Sequence, residues 1–265
     1  MTFDIVTIFP DFFVGPLDHG IVRRAREAGI VTINIHDLRA FAKDRHRTVD
    51  DRPFGGGEGM VLKPEPIFEC VDGLGLMPRD LRTQAGARES VVLLSAQGEL
   101  FRQDTAARLA QLERIVLICG RYEGVDERIS EFLADRELSV GDYVLSGGEL
   151  AAAIVVDTVT RLRPGALGNE ASAQQESFTA ATAGERNRAT CASGGLLDYP
   201  HYTRPAEFRG MPVPEVLGSG NHEDIRRWRR RQALKKTLRN RPDLLDAVAL
   251  SAEDKDVIAE LRGEA

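Results

Sequence analysis

The fold class is decided by the stretch from Val91 to Gly124, which reads VVLLSAQGELFRQDTAARLAQLERIVLICGRYEG. Two short apolar runs, Val91 to Leu94 and Ile115 to Cys119, flank a segment from Gln103 to Leu112 that has helical periodicity. Continuous apolar runs of this length are typical of strands that are buried on both faces. The strand–helix–strand order therefore predicts an α/β fold in which helices cover a mostly parallel sheet.

The same alternation continues on both sides of this stretch. It predicts a strand from Phe3 to Phe9, a helix from Pro16 to Ala28, a strand from Val31 to His36, a strand from Leu138 to Leu145 and a helix from Glu149 to about Arg161. Pro10 ends the first strand and Gly29 ends the first helix, as these residue types commonly do. We expect one α/β domain over residues 1–163.

The character of the sequence changes beyond this domain. Residues 164–200 are rich in Gly, Ala, Ser, Gln and Thr and have weak periodicity, which predicts a flexible interdomain linker. Beyond Pro214 the chain is highly charged, and its pattern predicts helices from Ile225 to Leu238 and from Leu244 to about Leu261. We therefore expect a small helical domain over residues 201–265.

The overall composition is that of a folded protein with a small acidic excess. The 265 residues include 35 Lys plus Arg and 41 Asp plus Glu, which gives a net charge of −6, and 42% of the residues are hydrophobic. This balance excludes disorder as the default state. It argues against nucleic-acid binding only if the charge is spread evenly, because phosphates are bound by local positive potential.

The cysteines and the apolar runs indicate the cellular setting. Cys70, Cys119 and Cys191 are odd in number and far apart, so we expect neither a disulfide framework nor a metal site. The N-terminal residues lack the basic start of a signal peptide, and the apolar run from Leu150 to Val156 is too short to span a bilayer. We expect a soluble, cytoplasmic protein with no dedicated metal site and no membrane partner.

A basic segment changes the interpretation of the net charge. Residues 226–241, RRWRRRQALKKTLRNR, hold nine cations and no acid. Removing these nine positive charges from the net charge of −6 leaves −15 for the rest of the chain. Without acidic partners such a helix repels itself unless a polyanion is near, although a solvated helix face is the common alternative. The segment predicts nucleic-acid binding. The candidate contacts are Arg226, Arg227, Arg229, Arg230 and Arg231.

A second basic segment leads into a glycine-rich loop, GGGEG at residues 55–59. Four glycines in five residues exclude a regular element, and no Gly-Lys-Ser/Thr follows that would make a Walker A loop. Cations beside bare backbone amides favour a loop that closes over phosphates, whereas a mobile loop tip is the alternative. The candidate RNA contacts here and in a tyrosine-rich turn are Arg45, His46, Arg47, Arg52 and His201.

Two glycine-containing loops are each expected to follow an apolar strand. One is LICGRYEG at residues 117–124, and the other is SVGDYVLSGGE at residues 139–149. Glycine at a strand end lets a ligand approach the backbone closely, although either loop could be only a tight turn between strand and helix. Two such loops, each with an aromatic and an acidic residue, favour a small-molecule pocket.

These motifs and four others cover nearly the whole chain in order. The others are FDIVTIFP at 3–10, DRHRTVDDRP at 44–53, LLDYPHYTRP at 196–205 and SGNH at 219–222. On these motifs the sequence resembles the bacterial tRNA (guanine-37-N1)-methyltransferases of the TrmD type, in the SPOUT superfamily. The resemblance implies a parallel sheet with a deep C-terminal trefoil knot, a feature so rare that no residue pattern would predict it.

The resemblance also implies that the loops of the knot bind S-adenosyl-L-methionine as the methyl donor. The matching positions are Leu94, Ser95, Gly120, Tyr122, Glu123, Ser139, Val140, Gly141, Asp142, Tyr143, Val144, Leu145, Gly147 and Gly148. It implies a homodimer with a shared active site and a helical domain that grips the anticodon arm of tRNA. A need for Mg²⁺ is implied too, but the sequence has no dedicated protein site, which favours an ion that bridges RNA and carboxylates.

The implied reaction moves a methyl group from a sulfonium to N1 of a guanine. That nitrogen carries a proton at neutral pH, so a base must accept the proton while negative charge develops toward O6. By resemblance the base is Glu176, where the family usually has Asp, Arg161 stabilises the charge at O6, and Asp198 is a second acid near the target base. On sequence alone these residues would be a linker carboxylate, a helix-end cation and a turn former.

Three alternatives differ in the residues that they would require. A SPOUT enzyme for another RNA position would lack both the loop from Asp44 to Gly59 and the C-terminal helices. A non-catalytic RNA-binding factor would have lost the cofactor glycines or Arg161. A nicotinamide dehydrogenase is disfavoured because the GxGxxG fingerprint is missing. One departure from the family is an extra stretch from Thr179 to Ser193, which we expect to be disordered without RNA.

Overall fold

The computed structural model of the chain describes residues 1–168, 176–179 and 194–263. The chain divides into two compact units, Met1–Gly168 and Asn169–Ala265. Most of the extra stretch that we expect to be disordered, together with Cys191, lies outside the described residues. None of the helices in the described ranges combines the length and the apolar character that crossing a membrane requires.

The first unit is built on a five-stranded sheet in which all neighbouring strands run parallel. Its strands are β1 (Thr2–Thr7), β2 (Thr32–Asp37), β5 (Glu89–Leu100), β6 (Arg114–Cys119) and β7 (Arg136–Ser139). The strand order is β2-β1-β6-β5-β7, and a separate antiparallel pair consists of β3 (Asp50–Asp51) and β4 (Val61–Leu62). The prediction of an α/β fold with a mostly parallel sheet is confirmed.

Helices cover both faces of this sheet. They are α1 (Gly20–Glu27), α2 (Pro64–Asp72), α3 (Arg79–Arg82), α4 (Gln103–Leu109) and α5 (Glu149–Thr160). Successive strand residues face opposite sides, so Phe3 and Val92 pack in the cluster that includes α1, α4 and α5, whereas Val6 and Val91 pack in the cluster that includes α2. Because both faces are buried, the strands appear in the sequence as continuous apolar runs.

Several predicted elements begin or end at other residues than the observed ones, and two of these differences have a clear physical cause. The strand expected from Leu138 to Leu145 ends at Ser139, since the Ser139 hydroxyl hydrogen-bonds the backbone of Gly141 and turns the chain into a loop. The helix expected from Leu244 to about Leu261 is two helices, because Ser251 and Asp254 form reciprocal side-chain-to-backbone hydrogen bonds that cap a new helix.

The second unit is mostly helical. Its elements are β8 (Glu207–Phe208), β9 (Met211–Pro212), α6 (His222–Asn240), α7 (Asp243–Ala247) and α8 (Ala252–Gly263). The Asn221 side chain caps α6 by accepting from the amides of Glu223 and Asp224. The buried core consists of Leu196, Leu234, Leu245, Ile258 and Leu261. Leu196 falls within the predicted linker, so part of that segment packs into this core.

Candidate functional site

A cavity of about 330 Å³ lies at the carboxyl ends of β6 and β7 and beside residues 93–97 of the long strand β5. Parallel strands place their carboxyl ends at one edge of a sheet, which is where open α/β sheets bind ligands. Of the fourteen predicted cofactor positions, twelve line this cavity and two, Gly141 and Asp142, do not. The lining positions are Leu94, Ser95, Gly120, Tyr122, Glu123, Ser139, Val140, Tyr143, Val144, Leu145, Gly147 and Gly148.

The loop after β6, residues 120–124, is a tight turn in which the Gly124 amide donates to the Arg121 carbonyl at 2.9 Å. Tyr122 at its tip has a positive φ of 59°, a conformation that costs energy for a residue with a side chain. The Tyr122 ring is 54% exposed although it is aromatic. The turn therefore holds an aromatic side chain at the cavity in a conformation that the local sequence does not favour.

The second glycine loop contacts the first one directly. The Gly148 amide donates to the Gly120 carbonyl at 2.9 Å. A Cβ atom on Gly148 would lie 2.7 Å from the Cα atom of Cys119. The two backbone segments can therefore approach this closely only if residue 148 is glycine. The two loops that the sequence predicted separately therefore form two walls of one cavity.

Gly141, one of the two positions that do not line the cavity, supports this second loop. A Cβ atom on Gly141 would overlap the ring of Tyr143, whose hydroxyl donates to the Val140 carbonyl at 3.2 Å. This folds the loop back on itself and leaves Tyr143 and Val144 exposed at the cavity. An exposed aromatic and an exposed aliphatic side chain next to bare backbone suit a ligand that has a flat ring.

The cavity carries acidic groups that the sequence analysis missed. Glu127 and Glu137 line it together with Glu123, and the Ser130 hydroxyl donates to Glu137 at 3.1 Å. Glu137 lies two residues before Ser139, in the strand that leads into the second loop. A carboxylate at the end of a strand that precedes a predicted ligand-binding loop is the sequence signal that could have identified it. Three carboxylates at one cavity favour a cationic ligand.

The three predicted catalytic residues are divided between the two units. Arg161 follows the last residue of α5 in the first unit and is half-buried. Glu176 and Asp198 belong to the second unit. Their segments are joined by hydrogen bonds, because the Asp198 amide donates to the Ser177 hydroxyl at 2.9 Å and the Phe178 amide donates to the Leu196 carbonyl at 3.0 Å.

Both carboxylate oxygens of Asp198 already have partners. One accepts from the Tyr199 amide at 2.8 Å, and the other lies 2.9 Å from Nε2 of His201. The His201 ring also packs on the Tyr199 ring, with centroids 4.7 Å apart. Asp198 is therefore held in one orientation and positions His201, a predicted RNA contact.

The predicted basic loop is organised by Asp44, whose carboxylate accepts from the amides of His46 and Thr48 at 2.8 and 3.0 Å. Arg47 takes a positive φ of 53° in this turn. All four predicted contacts of the loop are exposed to solvent, namely Arg45, His46, Arg47 and Arg52. The turn therefore presents its cations outward, as phosphate binding requires.

The basic helix α6 has acidic partners, which corrects the expectation that it has none. Arg226 and Arg227 both pair with Glu223, whose pKa the hydrogen bonds from Arg226 lower to about 2. Arg230 donates twice to Asp254, which is 5% exposed, and Arg231 pairs with Glu260. Glu223 is a neighbour on the same helix that lies just before residues 226–241, whereas Asp254 and Glu260 meet their arginines only in the fold.

The remaining cations of the helix form a separate surface. Within the described ranges no ion pair engages Arg229, Lys235, Lys236 or Arg239, and all four are exposed. At 3.6 residues per turn these positions lie within about one third of the helix circumference. We call these four residues the cation stripe. Its charges are available to an external anion.

A second cavity, of about 440 Å³, lies next to the N-terminal part of α6 within the second unit. It is lined by Tyr199, His201, Tyr202, Trp228 and Arg229 among others. The Arg229 guanidinium lies 4.9 Å from the Tyr199 ring centroid. Aromatic side chains beside cations are typical of surfaces that stack nucleobases.

The described cysteines take no part in these sites. Cys70 and Cys119 are buried, and burial raises the pKa of the Cys70 thiol to about 12 and that of Cys119 well above its usual value. Among the described residues no three His, Cys, Asp or Glu side chains are grouped as metal ligands would be.

Comparisons with known proteins match nearly the whole chain. The family model described as tRNA (Guanine-1)-methyltransferase TrmD matches residues 1–247. A tRNA (guanine-N(1)-)-methyltransferase of Koribacter versatilis is 65% identical over 99% of this chain and 98% of its own. Proteins of the same name from Heliobacterium modesticaldum and Moorella thermoacetica are 50% and 51% identical over 98% of this chain, and 90% and 96% of their own lengths are covered.

Proposed function

Because the chain belongs to the tRNA (guanine-1)-methyltransferase family TrmD, we propose that it transfers the methyl group of S-adenosyl-L-methionine to N1 of guanosine 37 in tRNA. Methyl transfer to guanine N1 of tRNA is the activity after which the family and its relatives are named. The observation that carries the proposal is this cavity, where ten predicted cofactor positions of the two glycine loops meet Leu94 and Ser95 of β5.

The chemistry of this cavity supports S-adenosyl-L-methionine as the donor. Its volume of about 330 Å³ falls in the range of small-molecule pockets. Gly120 and Gly147 line the cavity, and the absence of side chains there lets a ligand approach the backbone closely. The carboxylates of Glu123, Glu127 and Glu137 favour a ligand that carries a sulfonium and an ammonium.

We assign the proton transfer to the second unit. When it is bound, S-adenosyl-L-methionine supplies a methyl group on a positively charged sulfur, which leaves as a neutral thioether. Glu176 accepts the proton of guanine N1, and Arg161 stabilises the negative charge that develops at O6. Asp198 is the second acid near the target base, and its carboxylate holds His201 in place.

The tRNA would be held by two positively charged surfaces. One is the exposed turn with Arg45, His46, Arg47 and Arg52. The other is on α6, where the cation stripe is the better candidate, because Arg226, Arg227, Arg230 and Arg231 are engaged by acids. If Mg²⁺ takes part, we assign it to a position that bridges RNA and carboxylates. A tRNA substrate implies a cytoplasmic location.

We also propose the family's assembly for this chain, a homodimer with a shared active site. Leu150 and Ile154, one turn apart on the apolar helix α5, are 50% and 42% exposed. Such a face is suited to packing against a second copy. The work is divided between a donor-binding domain over residues 1–163, an active-site linker over 164–200 and a tRNA-binding domain over 201–265.

A trefoil knot in the first unit is part of the same proposal. Its support is that the segment after β7 returns to the loop after β6, where the Gly148 amide bonds to the Gly120 carbonyl. In a trefoil knot the chain passes through an earlier loop, so a later segment must return to that loop in this way.

The direct test is methyl transfer from labelled S-adenosyl-L-methionine to tRNA transcripts that carry guanosine at position 37 or another nucleotide there. We expect label only in the first transcript. Equal labelling of both would mean that the enzyme modifies another RNA position, and no labelling of either would indicate a non-catalytic RNA-binding factor.

A further inference from the structure

A buried carboxylate opens helix α5, and neither the cavity nor the proposed reaction accounts for it. Glu149 is 1% exposed and follows the Gly147-Gly148 pair. The first turn of α5 is otherwise apolar, and an ionisable group is costly to bury unless it is paired and hydrogen-bonded. The burial of Glu149 therefore requires partner groups.

Its two oxygens contact two different parts of the chain. The Thr7 hydroxyl at the end of β1 donates to one oxygen at 2.8 Å. Nε of Arg121 in the loop after β6 donates to the other at 3.1 Å. One carboxylate thus connects the end of β1, the first glycine loop and the start of α5, which is the end of the second glycine loop.

Arg121 extends this connection across the cavity wall. Its Nη1 atom donates to the Ser146 carbonyl in the second loop at 3.0 Å. Its guanidinium also lies 4.5 Å from the centroid of the Phe9 ring, which fixes the plane of the side chain. Since Arg121 and Ser146 both line the cavity, the side chain ties one wall to the other.

The groups between the two loops are closely packed. A Cβ atom on Gly147 would lie 2.6 Å from Oε2 of Glu149 and would overlap the Arg121 side chain. The Glu149–Arg121 pair therefore fills the space beside the backbone hydrogen bond from Gly148 to Gly120, and the two contacts together hold the loops at this separation.

We propose that Glu149 and Arg121 are positioning residues for the methyl donor, with their ion pair holding the two glycine loops at the separation that donor binding requires. Neither residue needs to touch the reacting atoms. The identity of the donor rests on the function proposed above, but the mechanical role of the pair does not depend on which tRNA nucleotide is methylated.

The test measures binding of S-adenosyl-L-methionine alone by calorimetry, together with steady-state kinetics. Glu149→Gln keeps the shape of the side chain and removes its charge, so we expect the Kd for the donor to rise about 10-fold. The KM for the donor should rise in parallel, while the KM for tRNA stays within about two-fold. Arg121→Met should have a similar effect, and the double variant should bind no more weakly than the weaker single variant, because both changes break one connection.

Asp4→Asn is the matched control. Asp4 is also a buried carboxylate paired with an arginine, Arg114, but it lies within β1 and does not line the cavity. We expect this control to lower the Tm and to leave the donor Kd unchanged. If Glu149→Gln lowers the Tm in the same way and also leaves the Kd unchanged, the pair is only structural and the proposal is wrong.

Arg121→Lys keeps the test decisive if Glu149→Gln does not fold. It retains a positive charge beside Glu149 but replaces the planar fork that reaches both Glu149 and Ser146. A raised donor Kd supports the proposal, and an unchanged Kd overturns it. Because tRNA is absent from the binding assay, an error in the assigned target nucleotide would not affect this result.

Discussion

Asp4 shows how a single buried charge on β1 can be stable. Burial raises its pKa, but hydrogen bonds from His36, Arg114 and Asn34 outweigh this effect, and the pKa is lowered to about 2. A carboxyl whose folded-state pKa lies below its ordinary 3.8 stabilises the fold fully above that value. The contribution is lost as the pH falls from about 4 to about 2.

Asp4→Asn should therefore lower the free energy of unfolding at pH 7 by on the order of 2 kcal/mol. The difference from wild type should shrink as the pH falls below about 4, because the wild-type carboxyl is then protonated too. Urea denaturation of both proteins at pH 7, 5, 3 and 2 measures this. A difference that stays constant over that range would contradict the assigned cause.

Glu176→Gln tests whether Glu176 is the base that accepts the N1 proton. The amide cannot accept the N1 proton, so kcat should fall by about 100-fold or more while the donor Kd stays within two-fold. Single-turnover methylation of tRNA with saturating donor is the measurement. Activity near that of wild type would exclude Glu176 and make Asp198 the better candidate, and Asp198→Asn is the companion variant.

Residue roles were only partly predictable from the sequence. The glycine loops were recognisable because each follows an apolar strand, and twelve of the fourteen predicted positions line one cavity. Glu149 was expected as the start of a helix and the end of the second glycine loop but not as the partner of Thr7, which is 142 positions away. Spacing along the chain carries no information about such a contact, which exists only once three separate segments have packed.

At the scale of elements, α6 shows what charge patterning can and cannot predict. The helix was expected from Ile225 to Leu238 and spans His222–Asn240, so periodicity located it well. The assumption that its arginines have no partners was wrong, because Glu223, Asp254 and Glu260 lie outside the basic run. The sequence predicted a basic helix, but only the fold separates paired cations from available ones.

The distinction between paired and available cations on α6 predicts which of them bind tRNA. Replacing Lys235, Lys236 and Arg239 of the cation stripe with glutamine should weaken tRNA binding and reduce the slope of log K against log salt by about 2 to 3, if each contacts one phosphate. Filter binding of tRNA at several salt concentrations measures the slope. An unchanged slope would exclude the stripe as the phosphate-binding surface.

The matched control replaces three paired arginines, Arg226, Arg230 and Arg231, with glutamine. The same formal charge is removed, but we expect a smaller change in slope and a lower Tm, because Asp254 is then left buried without its partner. Equal slopes for the two triple variants would mean that net charge, not the position of the cations, controls binding.

At the scale of the whole molecule, the class of fold followed from the sequence while its connectivity did not. Strands buried on both faces appear as apolar runs separated by helices, and this pattern is enough to predict a parallel α/β sheet. The strand order β2-β1-β6-β5-β7 depends on which edges meet in space. The proposed knot is likewise a property of the path of the chain, and no local propensity encodes it.

The proposed homodimer gives the last prediction, which belongs to this scale because it requires two copies of the chain. Leu150→Glu together with Ile154→Glu places two charges on the exposed apolar face of α5, so the Kd for self-association should rise at least about 10-fold. Sedimentation equilibrium measures the Kd, and methyl transfer should fall with the dimer fraction because each site needs both copies.

Phe132→Glu is the control, at a residue that is 62% exposed on a π-helical turn of the same unit. It should leave the Kd for self-association and the rate of methyl transfer unchanged. A double variant that remains a fully active dimer would place the interface elsewhere, and a monomeric, active wild type would refute the shared site itself.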